Sequence, residues 1–175
     1  MNNLHPLNLF FSGSVDEKMA TSFRLLEAHG PSLLSVPMVT ASLDRLKKSG
    51  ENLNGIMTRL EMDVICSMCA SKSGGGCCSA FMANNTDAIL LLINLLIGRP
   101  VARQRDDSEC CFLGAHGCIL QPKPIFCLNY NCWRIKEKIP NAGMKELQRM
   151  ANIVLGEQVA LEGTVLSLLA EYKKI

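Results

Sequence analysis

The residues best equipped for chemistry are the nine cysteines, all of which lie between Cys66 and Cys132. None falls in the first 65 residues or the last 43, a clustering that core packing alone does not produce. Their order is C-x2-C-x7-C-C, then 31 residues, then C-C-x6-C-x8-C-x4-C. A C-x2-C pair brings two sulfurs to one ion through a tight turn. Four thiolates at tetrahedral corners make a closed site for zinc, and the same donors hold iron or iron–sulfur clusters. The thiol itself is a poor ligand, so uptake of the ion deprotonates it and couples the site to folding.

Cys66-x2-Cys69…Cys77-Cys78, followed by Cys111-Phe112-Leu113, Gly117-Cys118-Ile119-Leu120 and Pro124-x2-Cys127-x2-Tyr130-x-Cys132, resembles the YkgJ-type, or CxxCxxCC, family of zinc- or iron-chelating cysteine-cluster proteins. The likeness covers residues 66 to 132. It implies eight metal ligands: Cys66, Cys69, Cys77, Cys78, Cys111, Cys118, Cys127 and Cys132, with Cys110 left over. The register at Cys110–Cys111 rests on the following Phe-Leu. The chain departs from the family pattern in three places. Seven residues, three of them glycine, precede Cys77 where two are usual; Lys123 replaces an arginine before Pro124; and Leu128 replaces an arginine after Cys127. Flagellin lysine N-methylases carry a similar cluster, but no separate methyl-donor motif is visible here. Neighbouring Cys77 and Cys78 in an extended segment would point opposite ways, which suits two sites or a shared arrangement.

Other polar residues in the stretch read as scaffold. His116 stands between Cys111 and Cys118 and reads as a loop histidine. Asp106, Asp107 and Glu109 read as a solvated charged loop. Tyr130 and Trp133 flank the last ligand and are expected to shield the metal. Glycines 74–76 follow Ser71-Lys72-Ser73 without the G-x-x-x-x-G-K-[ST] pattern of a phosphate loop, so they read as a turn around the metal. No catalytic Ser/His/Asp set is evident.

Helices must position these thiols. Ser14 with Glu17 predicts a capping box, and a helix with Met19, Phe23 and Leu26 on its apolar face, stopped by Gly30-Pro31. Pro37 opens a second helix carrying Val39, Leu43 and Leu46, ended by Ser49-Gly50. A third, roughly 53 to 64, delivers Cys66. Thr86 caps a fourth, apolar nearly all round and therefore central, closed by Gly98-Arg99-Pro100. Ile119-Leu120 and Ile125-Phe126 are expected as short extended pieces. After Cys132 a helix from about Asn141 carries Met144, Leu147, Ala151, Val154 and Leu155, with Gly156 as a break or close contact, and the apolar pattern then continues to the end.

The 175 residues suffice for one domain with a real core, divided into N-terminal helices (1–65), the cysteine cluster (66–132) and C-terminal helices (133–175). The expected fold is mainly α, built around a cysteine-rich, loop-rich metal core. A net charge of +2 argues against a nucleic-acid footprint. The run from Ala88 to Ile97 is too short to span a bilayer, and no export signal is seen. Both features point to a reducing cytoplasm, where thiols hold metal rather than form disulfides. The expected function is a zinc- or iron-chelating protein whose metal is structural and supports an interaction surface for a protein partner or a second copy. An iron–sulfur redox protein or enzyme and a metal sensor or carrier are the alternatives.

Overall fold

The computed structural model describes residues 8–70, 76–105, 109–129 and 131–172. After a four-residue helix, α1 (Asn8–Phe11), which buries Phe10, the chain enters α2 (Val15–Leu34) through the expected capping box. The Glu17 amide donates to Ser14 Oγ at 3.3 Å, and the Ser14 amide donates to Glu17 Oε2 at 2.7 Å. The helix does not stop at Gly30-Pro31. Pro31 lies in the last turn on the exposed side, where its missing N–H leaves one carbonyl to solvent, and the Ser35 amide still closes onto Pro31 O at 3.0 Å. The buried stripe is Val15, Lys18, Ser22, Leu25 and Leu33; Phe23 is 45% exposed, so the inner face is rotated from the expected one.

Pro37 begins α3 (Pro37–Arg59), which is one helix where two were expected. Ser49 and Gly50 sit buried mid-helix. Ser49 Oγ bonds back to Leu46 O and across to Glu157, while Gly50 lets the backbone approach Gln121. Here glycine serves a close contact, not a stop. The break comes later, at Leu60–Glu61, where Glu61 adopts a left-handed φ of 54°. It turns the chain into α4 (Met62–Ala70).

α5 (Ala80–Ala83) is a single capped turn. α6 (Ala88–Leu96) is capped by Asp87, not Thr86: Asp87 Oδ1 accepts from the Ile89 and Leu90 amides at 2.9 and 2.8 Å. Ile89 to Ile93 are all at most 1% exposed, which makes this the central helix. Burying those five side chains is worth roughly 8–15 kcal/mol by transfer energies, an upper bound against a compact unfolded chain. Gly98, at φ 80°, ends it as expected.

The only strands among the described residues are β1 (Leu113–Gly114) and β2 (Gly117–Cys118), an antiparallel hairpin with Leu113 opposite Cys118. Ile119-Leu120 lies outside it, and Ile125-Phe126 opens a helix, α7 (Ile125–Asn129), instead of a strand. α8 (Trp133–Lys138) leads to α9 (Asn141–Tyr172). α9 passes Gly156 unbroken, and a Cβ there would meet open space. Met144, Leu147, Ala151, Val154, Leu161, Val165 and Leu169 form its inner stripe.

α3 and α9 pack against each other most extensively, with α2 and α6 completing a helical core. A second, smaller core gathers Val15, Leu91, Val101, Cys111, Phe112 and Leu120. Among the described residues, α9 alone is long and apolar enough to cross a membrane by length and composition, and its inner stripe is buried against the other helices. The fold is mainly α, as expected.

Candidate metal centre

Five stretches deliver thiols to one place. α4 carries Cys66 and Cys69, three residues apart on a helix and thus on neighbouring turns, not in the tight turn that C-x2-C suggests. The segment before α5 carries Cys77 and Cys78. It is tied to the second cysteine block by an isolated antiparallel bridge between Ser79 and Glu109, and by the Cys110 amide donating to Cys78 O at 3.0 Å. Arg105 braces this join, reaching Glu109 Oε2 at 2.5 Å and Leu113 O at 3.0 Å. In the hairpin, Gly117 takes φ 92°, a conformation that favours glycine, and presents Cys118. Pro124 O accepts the Cys127 amide at 2.8 Å at the entry to α7.

These stretches enclose a cavity of about 230 Å³. Six thiols line it: Cys66, Cys77, Cys78, Cys110, Cys118 and Cys127. Cys69 and Cys132 lie outside its wall but near enough to act on the Cys66 charge. Cys77 and Cys78 line the same cavity, in keeping with the shared arrangement and not with two separate sites. One expectation changes. Cys110, which the family register left over, is on the wall, while Cys111 is 3% exposed in the second core beside Phe112 and Leu120. The Ser79–Glu109 bridge and the Cys110–Cys78 backbone bond hold Cys110 against the Cys77–Cys78 segment.

The thiols are held mostly neutral. Cys78 donates a hydrogen bond to Cys66, which holds the Cys66 thiol below its ordinary value and pushes Cys78 up to about 12. Its bond to Cys78, with burial behind it, drives Cys77 up as well. Burial pushes Cys110 to about 12 and raises Cys118. Cys127 has exposed surface, yet the protein crowding its thiol also pushes it to about 12. An incoming ion must therefore displace protons.

Lys123 is the one Lys or Arg on the wall among the described residues. It is 4% exposed, and its Nζ donates to Asn54 Oδ1 at 2.9 Å. Burial lowers its pKa, opposed by the charges of Cys118 and Cys127. Its segment lacks regular structure but is pinned by Asn94, fully buried on α6. The Gln121 amide donates to Asn94 Oδ1 at 2.9 Å, and Asn94 Nδ2 donates to Pro122 O at 3.0 Å. Sequence reasoning saw Lys123 only as a departure from arginine. A signal was present, since a cation between Pro122 and Pro124 in an otherwise apolar run is poorly placed for solvent. Nothing in the sequence pointed to Asn54.

His116 lines the cavity on the exposed hairpin turn. Trp133 does not shield the site; it is 67% exposed, with Arg134 5.2 Å from its ring centroid. Glu109 is ion-paired, not free. Asp106, Asp107, glycines 74 and 75 and the Tyr130 side chain lie outside the described residues. Among the described residues, no three His, Cys, Asp or Glu side chains stand close enough together to hold a metal ion. The chemistry of the donor set suits a soft, thiophilic ion: six sulfurs beside an apolar flank of Met57, Met62, Leu113 and Ile135. A coordination shell requires some of the thiols to draw inward from the wall.

No family model, curated protein or solved structure matches this chain. The likeness to the cysteine-cluster family thus rests on the motif alone.

Proposed function

We propose that this protein binds a thiophilic metal ion, zinc in the first instance, in the cavity between α4, the Cys77–Cys78 segment, the hairpin and α7. The ion serves a structural role. Cys66, Cys77, Cys78, Cys110, Cys118 and Cys127 are the candidate donors, four of which would complete a tetrahedral site, with Cys69 and Cys132 near Cys66. One observation carries this reading: five separated stretches of chain bring six thiols to one cavity. Bound there, the ion supplies cross-linking of segments that otherwise meet through few backbone bonds. Phe81, Phe126 and Trp133, at 77%, 58% and 67% exposed, lie in the segments that build the cavity and support an interaction surface for a protein partner.

The test is elemental analysis and a visible spectrum on protein purified without oxygen. Colourless protein with at least one zinc per chain is the expected result. Brown absorbance with acid-labile sulfide would replace zinc by an iron–sulfur cluster. Absence of any metal would end the reading. Cys66→Ser or Cys127→Ser should lower the melting temperature of the loaded protein and leave the metal-free protein little changed.

A further inference from the structure

A buried ammonium needs a counter-charge, because an isolated charge out of water is strongly unfavourable. Lys123 is 4% exposed, and its one hydrogen bond among the described residues goes to a neutral amide, Asn54 Oδ1. No carboxylate among the described residues lies within ion-pairing distance of it. Asp63, which shares the cavity wall, uses its Oδ1 on the Val64 amide. The chain nevertheless holds this cation in place from two sides, through Asn54 on α3 and through Asn94 on the preceding residues. It shares the wall with six thiols, of which those of Cys118 and Cys127 lie near enough for their charges to act on it. A divalent ion on four thiolates carries a net charge of about −2, which a low-dielectric pocket tolerates poorly without a nearby cation.

We propose that Lys123 is the counter-cation of the metal-loaded thiolate cluster, a positioning residue whose partner is the load and not any other side chain of the protein. The inference rests on the thiolate reading of the cavity and adds a specific requirement to it: the site is built for a cluster of net negative charge. Lys123 touches no ligand role itself. It offsets the repulsion that accumulates as thiolates gather around the ion.

The full chain is prepared metal-free under reducing, oxygen-free conditions as wild type, Lys123→Met and Lys123→Arg. Cd2+ is titrated against a competing chelator and read by sulfur-to-cadmium charge-transfer absorbance, while urea unfolding of each metal-free protein is followed in parallel. The expected result is Cd2+ affinity at least about tenfold lower for Lys123→Met, with Lys123→Arg within about threefold of wild type. Metal-free Lys123→Met should be as stable as wild type or more so, because the substitution removes a buried amine that has no carboxylate partner among the described residues. Equal Cd2+ affinity in wild type and Lys123→Met overturns the inference while leaving the thiolate site intact. Unfolding of metal-free Lys123→Met also overturns it, since the lysine would then be a strut of the empty fold. A wild-type protein that takes up no Cd2+ defeats the thiolate reading, and this inference with it.

Discussion

Gly50 and Gly55 lie on the same helix, α3, and the same substitution should have opposite effects at the two positions. Alanine at either gains about 1 kcal/mol of helix propensity. At Gly55 nothing stands within 4 Å of the added Cβ, so that gain should survive as roughly 0.5–1 kcal/mol. At Gly50 the Cβ would lie 2.6 Å from Gln121 Nε2 and 2.7 Å from its Cγ. That side chain cannot swing aside freely. It is 1% exposed, its Nε2 donates to Lys47 O, and its Oε1 accepts from Arg99 Nε at 2.6 Å. Overpacking costs about 1–3 kcal/mol, and two displaced hydrogen bonds add about 1 kcal/mol each. Set against the propensity gain, Gly50→Ala should destabilise by about 2–4 kcal/mol, or roughly 6–12 °C in Tm at the middle of that range. Urea unfolding followed by circular dichroism, on metal-free protein, measures both variants. If Gly50→Ala matched or exceeded the wild-type midpoint, the close α3–Gln121 approach, and the account of why α3 runs through Ser49-Gly50, would be wrong.

Asn94→Leu should cost about 2–4 kcal/mol by leaving Pro122 O and the Gln121 amide buried without partners; a urea midpoint shift below the error of measurement would contradict this. Glu162 on α9 is raised to about 7, first by burial and then by the nearby Asp87 carboxylate, with the Gln158 amide at 3.0 Å opposing. An acid whose folded pKa is raised stabilises below its unfolded value of about 4.5 and loses that contribution as pH climbs to about 7. Stability should therefore fall across that window by on the order of 1–2 kcal/mol after allowance for solvent screening. Glu162→Gln should flatten the slope and be the more stable protein at pH 8, as denaturation at a series of pH values would reveal.

Local signals in the sequence were read correctly where local chemistry decides the outcome. Ser14 with Glu17, Pro37 at a first turn, the apolar run after Asp87 and Gly98 all act through their nearest neighbours in the chain. Gly30-Pro31 and Ser49-Gly50 misled because the same residues serve two purposes. In a helix that tertiary packing already holds, a last-turn proline is tolerated, and a glycine marks where another segment comes close. The thiol stretch was legible as a cluster, and six of its members do line one cavity. The membership of that wall was not legible, because choosing between Cys110 and Cys111 depends on the contacts that hold Cys110 against the Cys77–Cys78 segment, some 30 residues earlier. Lys123 was visible as a residue but not as a wall, since its neighbours Asn54 and Asn94 come from other helices.

The pairing of α3 with α9 also has a consequence in time. α9 begins at Asn141, after every cysteine has been made. At a synthesis rate of about 5–20 residues per second, Cys66 precedes the start of α9 by roughly 4–15 s. Through that interval α3 has no α9 to pack on, and the segments that later enclose the cavity are joined only by their own short contacts. The nascent chain therefore displays its thiols as an open array before it displays them as a cavity. On the reading proposed above, an ion taken up in that interval would meet the thiols before the core is complete, and the packing of α9 onto α3 and α7 would come only afterwards.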